Sequence, residues 1–266
     1  MLKRFTIIIV AFFLLQTTAA FAGVMWKTTI VTKGKAEEST TIMQGYAQKG
    51  NVREDFVEVP KGKNAMAEKG TYYLYHGDSS MVYLVNPKDK NYMVFSVDSL
   101  MQFASSASQF MNLKITNLTT AVKELNPETV ATYSCKHIMI NSSYDMEMKI
   151  VFIKSKSHID QSKELWATNA IPLQDMAGSY IAKSFKTGVK DLDALIQKET
   201  AAYENLGFVI ISITTQKTTQ GKKTETSVTE TTVSDIIEKN LSTDLFKIPA
   251  DYERIDLGKE SLPPEE

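Results

Sequence analysis

The sequence predicts a mainly β fold of the α+β kind, an antiparallel sheet on which amphipathic helices lie. Three observations lead there. Short runs rich in Val, Ile, Thr, Tyr and Phe alternate with period two through most of the chain. Gly34, Gly50, Pro60-Lys61-Gly62, Gly77-Asp78 and Asn86-Pro87 separate the early runs at hairpin spacing. The period changes to helical spacing over residues 100–113, 173–185 and 189–206, each time leaving one apolar side that needs a sheet to cover it.

Lys3 and Arg4, the apolar stretch 7–15 and Ala20-Phe21-Ala22 form the three parts of a Sec-type signal peptide, residues 1–22, with cleavage after Ala22. The apolar stretch is too short to span a bilayer comfortably. The cleavage point carries no Cys for a lipid, and a lone Arg4 makes no twin-arginine signal. The expectation is a periplasmic or secreted chain, not an integral membrane protein after cleavage. A single β-rich domain is expected over residues 23–257, with a flexible charged tail over 258–266.

Strands are expected over 24–32, 40–47, 52–59, 71–76, 81–85 and 92–97, an antiparallel meander. Its clearest hairpin turns at Asn86-Pro87, where Pro fixes φ and Asn bonds its own backbone. The first helix starts at Asp98 or Ser99 as N-cap. Strands resume over 115–125, 130–141, 144–154 and 164–168, with turns placed at Asn126-Pro127 and Ser142-Ser143. A last hairpin, 208–218 and 223–233, turns at Gln220-Gly221, and its threonines suit a solvated face. In DLFKIPADYERIDL, residues 244–257, Phe246 and Ile248 are apolar plugs, and Pro249 stops further pairing. This segment is expected to pin an edge of the sheet.

Charge and cysteine content narrow the function. The chain has 30 Lys and Arg against 31 Asp and Glu, and the leader removes two of the cations. A mildly acidic chain without a basic block excludes nucleic acid as a natural partner. Cys135 is the only cysteine, so the fold rests on its core rather than on disulfides.

No nucleophile, base and orienter declare themselves, and no glycine loop cradles phosphate, so the chain reads as a non-enzyme without cofactor or metal. Gly77-Asp78-Ser79 matches the block of a lipase and esterase family, but a strand follows where that chemistry needs a helix, and a hairpin turn explains it better. Cys135, His137 and Met139 share one strand face, as do Met146 and Met148, a soft set that copper(I) would accept. Positions four apart on a strand stand roughly 13 Å apart, so Cys135 and Met139 cannot meet at one ion. His76 and His158 stand isolated in the sequence, and Asp191 and Asp193 fit an exposed helix face.

The exported start, VNPKDKNYMVF running into a Met- and Phe-bearing helix, TYSCKHIMI, ELWATNAIP, LGFVIISI and DLFKIPADY together resemble the bacterial family called domain of unknown function 4412. The resemblance spans nearly the whole mature chain. More distantly the chain resembles the LolA-type lipoprotein-carrier fold, which implies a large curved antiparallel sheet, or open half-barrel, with the helices across its concave face. The family usually ends in Pro-Ala-Gly-Tyr where this chain has Asp251, a residue that tolerates the left-handed region. The expected function is binding or carriage of an apolar ligand such as a lipid or lipoprotein acyl chain, with Met101, Phe103, Phe110 and Met111 lining the pocket. The same side chains could instead fill a solid core. Beside this stands a cell-envelope module that binds another envelope protein through an edge strand, and further off a copper-binding protein or a hydrolase.

Overall fold

The computed structural model describes residues 23–34, 38–60, 68–77, 79, 81–96, 99, 110, 112–150, 153–171, 189–203 and 206–255. The strands β1 (Gly23–Lys33), β2 (Ser39–Gln48), β3 (Asn51–Glu58), β4 (Tyr72–His76), β5 (Met81–Asn86) and β6 (Asn91–Ser96) form a first meander. A second consists of β7 (Lys114–Val130), β8 (Tyr133–Ile150), β9 (Ile153–Thr168), β10 (Phe208–Gln220) and β11 (Lys223–Lys239), with helix α1 (Lys190–Tyr203) between β9 and β10. Last comes β12 (Glu253–Ile255). They make one open sheet in the order β12-β6-β5-β4-β3-β2-β1-β11-β10-β9-β8-β7.

Each meander grows from local hairpins, whose turns the sequence encodes. Lys49 and Gly50 both take positive φ, the backbone of a primed two-residue turn that matches strand twist. Asn86 Oδ1 accepts from Lys88 N at 3.0 Å and Asp89 N at 3.2 Å, the expected side-chain turn after β5. The meanders are joined by β1 pairing with β11, from Gly23↔Lys239 to Lys33↔Val228, the contact of longest sequence separation in the sheet. All pairs are antiparallel except β12, which lies parallel to β6.

Strand alternation gives the sheet two faces. On the first, one rung runs Val24, Ala47, Val52, Tyr75, Val82, Phe95, and the next runs Trp26, Gly45, Glu54, Tyr73, Leu84, Met93. The same face continues through Ile30, Thr231, Ser212, Leu165 and Ile138. There α1 packs Ala202, and the residue Leu206 beyond it, on Ile138, Ile140, Leu165 and Ala167. Lys163 Nζ meets Glu199 Oε2 at 2.8 Å, tying the helix to β9. The amphipathic spacing of 189–206 thus yields a helix on the sheet, as expected. The stretches 173–185 and most of 100–113 lie outside the described residues; Ser99 and Phe110 are helical.

On the second face, residues 241–252 cover the first meander. Phe246 and Leu241 are buried with Tyr72, Leu74 and Val85, and Leu245, Ile248 and Tyr252 pack around them. Covering one aromatic of this kind contributes about 1.5–3 kcal/mol. Ser242 caps a 3-10 turn over Thr243–Phe246, and Tyr252 N then donates to Pro249 O at 3.1 Å. That bend closes with Asp251 outside the left-handed region, held instead by its 2.8 Å ion pair with Lys90. β12 follows and pairs with β6, so the segment does pin the edge of the sheet.

The largest departure from expectation is in β7, β8 and β9, three strands of 16 to 18 residues where shorter ones were expected. Asn126-Pro127 and Ser142-Ser143 are not turns. Pro127 falls inside a register shift between Leu125 and Glu128 on the outermost strand, where a missing N–H breaks no ladder bond. Ser142 is buried and donates to Glu199 of α1, and Ser143 donates to Asp160. Tertiary partners turn these local turn formers into strand residues.

Candidate functional site

The first face of the short meander is the main apolar surface. Val24, Trp26, Met43, Ala47, Val52, Phe56, Tyr75 and Leu84 on it are buried. Its width depends on Gly45: a Cβ there would lie 2.1 to 2.5 Å from three atoms of the Trp26 indole, which therefore lies flat over β2. Trp26 also meets Phe208 edge-on at 5.8 Å, reaching across the intervening β11. The one carboxylate in the two central rungs is Glu54, and burial pushes its carboxyl up from the ordinary glutamate value. Of the four expected lining residues, Met101, Phe103 and Met111 lie outside the described residues. Phe110 is described, and its ring is 72 % exposed.

The second face of the long strands is polar. An open groove of about 450 Å³ runs over β7–β10, lined chiefly by Thr119, Asn141, Ser143, Asp160, Thr215 and Lys217. At its border His158, isolated in the sequence, is not isolated in space. Its Nδ1 lies 2.8 Å from Asp145 Oδ1 and its Nε2 lies 3.2 Å from Asp160 Oδ1. Asn117 Nδ2 supports Asp145 at 2.7 Å. The bond to Asp145, aided by Asp160, raises the imidazole above its ordinary value. The same bond holds Asp145 down, and the Ser143 hydroxyl is the first cause holding Asp160 down.

Ser143 Oγ stands 3.4 Å from His158 Nε2, so Ser143, His158 and Asp145 follow the order nucleophile, base, orienter. The chemistry does not follow. Both ring nitrogens face carboxylates, which favours the imidazolium, an acid, whereas a base needs a free lone pair. Ser143 directs its proton to Asp160 at 2.9 Å. Its strand position between Thr119 and Asp160 also engages the local backbone in ladders on both sides, leaving no paired N–H donors for an oxyanion. The cluster is an ionic clasp across β7, β8 and β9.

Cys135 and His137 are buried. His137 Nε2 is 2.6 Å from Glu164 Oε1, Nδ1 is 3.4 Å from Glu128 Oε1, and the ring stacks on Trp166 at 4.2 Å. Two carboxylates and an indole thus surround the His137 ring, a setting of ionic and stacking contacts rather than of soft metal ligands. Burial pushes the Cys135 thiol up, away from the thiolate that binds metals. Among the described residues no cluster of three His, Cys, Asp or Glu side chains could hold a metal ion. Ser79 sits in the β4–β5 turn, its N–H donating to His76 O at 3.3 Å. The Asp145–His158–Asp160 clasp and the groove are not legible along the chain, because Ser142-Ser143 carries turn chemistry and only the β8–β9 register brings these residues together.

Among the described residues no helix is long and apolar enough to cross a membrane. A search of curated proteins by sequence finds no match. Among solved structures, a LolA superfamily protein from Nitrosomonas europaea is similar at 12% identity and TM-score 0.31, over 85% of this chain and 90% of that one. An uncharacterized conserved protein from Thermus thermophilus is similar at 10% identity and TM-score 0.35, over 87% and 89%. A domain assigned to outer membrane lipoprotein sorting, from Vibrio parahaemolyticus, is similar at 12% identity and TM-score 0.32, over 86% and 90%. The likeness does not reach residue-level correspondence. By sequence the assignment is direct: residues 21–252 match the profile of the domain of unknown function DUF4412, and the chain belongs to that family.

Proposed function

We propose that this protein works outside the cytoplasm as a non-catalytic binder of an apolar ligand, a lipid or a lipoprotein acyl chain. The ligand is held on the first face of β1–β6, with Met101, Phe103, Phe110 and Met111, from the stretch 100–113 whose spacing predicts a helix, as its other lining. The observation that supports it is the breadth of that face, two central rungs in which Val24, Trp26, Ala47, Val52, Tyr75 and Leu84 are all buried and Glu54 is the one carboxylate. A largely apolar surface with few polar groups is what a flexible acyl chain needs. The exposed Phe110 ring adds an apolar group on a stretch with helical spacing. The distant resemblance of the chain to the LolA-type lipoprotein-carrier fold implies the same ligand class.

The test is native mass spectrometry of the protein taken from its own envelope, with the mature chain expected to begin at Gly23. A bound lipid mass is expected, and Ala104→Trp or Ala107→Trp should abolish uptake of a fluorescent lipid probe while leaving the far-ultraviolet spectrum intact. A parent protein that carries no lipid and takes up no probe would overturn the reading. In that case the tryptophan variants would instead overpack a solid core, at a cost of about 1–3 kcal/mol.

A further inference from the structure

We propose that the end of the β8–β9 hairpin is a docking surface for an anionic lipid bilayer, where Lys149, Lys154 and Lys156 meet lipid phosphates and the Ile150↔Ile153 rung enters the headgroup layer. The hairpin projects from the sheet. Its pairing with β7 ends at Lys114↔Glu147 and its pairing with β10 at Thr219↔His158, whereas β8 and β9 stay paired to Ile150↔Ile153. It therefore extends roughly 10 Å past the first neighbour and roughly 16 Å past the second. Alternation makes this end amphipathic. Lys149 and Lys154 share the second face with Glu147 and Lys156, while Met148, Ile150 and Ile153 are placed on the first. The two residues that join the strands in sequence, Val151 and Phe152, are apolar as well.

The charge at this end is unbalanced. Lys149 and Lys154 stand directly opposite each other, a like-charge pair that destabilises a strand ladder. Lys154 and Lys156, both well exposed, share one carboxylate, Glu147, at 3.2 and 3.5 Å, and Lys149 has no carboxylate partner among the described residues. The neighbouring β10–β11 turn adds Lys222 and Lys223, brought alongside by Gln220 Nε2, which donates to Ser155 Oγ at 2.9 Å. With Lys114 at the start of β7, six lysines gather against Glu147 and Glu225, in a chain whose totals are 30 cations and 31 anions. The occupant follows from the combination. A soluble acidic protein or polyanion would use the lysines but not a projecting apolar end. A bilayer sets phosphates above a hydrocarbon boundary, the same order as the lysine rung and the isoleucine rung behind and at the tip. None of these residues belongs to the apolar face of β1–β6, so this surface is separate from the one that holds the ligand.

Vesicle flotation tests the surface. The protein should bind vesicles of mixed phosphatidylglycerol and phosphatidylcholine at least about tenfold more tightly than vesicles of phosphatidylcholine alone, and less tightly as salt rises. At roughly fivefold per lysine, Lys149→Gln with Lys154→Gln should weaken that binding about 30-fold. Lys49→Gln with Lys239→Gln removes the same charge at the opposite end of the strands and should leave it nearly unchanged. An environment-sensitive dye on Ile153→Cys should brighten on the anionic vesicles, and one on Lys49→Cys should not. Cys135, being buried, should stay unlabelled. Equal losses in the two double variants, equal binding to both vesicle types, or a dye at position 153 that does not brighten would overturn the proposal. So would binding to soluble polyglutamate as tight as to vesicles, which would mark an acidic protein as the partner. Vesicle binding is read without a carried lipid, so its failure would leave the reading of the apolar face standing.

Discussion

His76 Nε2 donates to the carbonyl oxygen of Phe246 across 2.7 Å, joining β4 to a residue 170 positions later. The contact fixes the imidazole tautomer and seats Phe246 over Leu74 and Val85, so the end of the chain holds the first meander from its second face. Arg53 reinforces it, its guanidinium 3.7 Å above the Tyr72 ring and its Nη1 donating to Leu245 O at 3.1 Å.

Phe246→Ala should therefore destabilise the protein by about 3–5 kcal/mol, the cost of truncating a buried aromatic. Urea unfolding should show a lowered midpoint with the slope unchanged. Hydrogen exchange should rise first in β5 and β6. An effect below about 1 kcal/mol would mean the segment only lies on the surface.

Gly45→Ala should be costly for a small change, because the added Cβ would lie within 2.5 Å of a rigid indole in the core. Overpacking of this kind costs about 1–3 kcal/mol or more. Gly34→Ala, whose nearest neighbour would be 3.6 Å away, should lower the melting temperature far less. Adding Trp26→Leu to Gly45→Ala should relieve part of the strain, a non-additivity that a thermal melt of the four proteins measures.

The clasp around His158 gives a pH signature. The imidazole is raised from 6.5, so its contribution is complete below that value and is lost as pH rises through the higher folded one. Asp145 and Asp160 are lowered from 3.8, so theirs is complete above that value and is lost as pH falls through the depressed folded ones. Parent and His158→Gln should differ most in melting temperature between these limits, near pH 5 to 6 on the ordinary values. The gap should close in alkali and shrink with salt, since His158 is 45 % exposed. A gap independent of pH would show that the ring acts by packing alone.

Elements with local codes were legible in the chain. Period-two runs fixed β1 to β6, Asn86 and Gly50 fixed their turns, helical spacing fixed α1, and Pro249 with Phe246 announced the closing segment. The middle of the chain was not, because Asn126-Pro127 and Ser142-Ser143 carry turn chemistry that position in the sheet overrides. A proline on an outermost strand loses no ladder bond, and serines facing Glu199 and Asp160 gain partners invisible along the sequence.

The sequence by itself determined a strand-rich chain without internal disulfides, membership of its family, and the apolar alternation that makes one face greasy. Only the tertiary structure decided which strands are neighbours and in what register. Pairing of β1 with β11 joins residues some 200 positions apart. The Asp145↔His158 register makes a clasp of residues that otherwise read as scattered charges. Local preference acts over a few residues, whereas register is set by the burial of whole faces, and a one-residue slip would turn every apolar side chain on a strand to the opposite face.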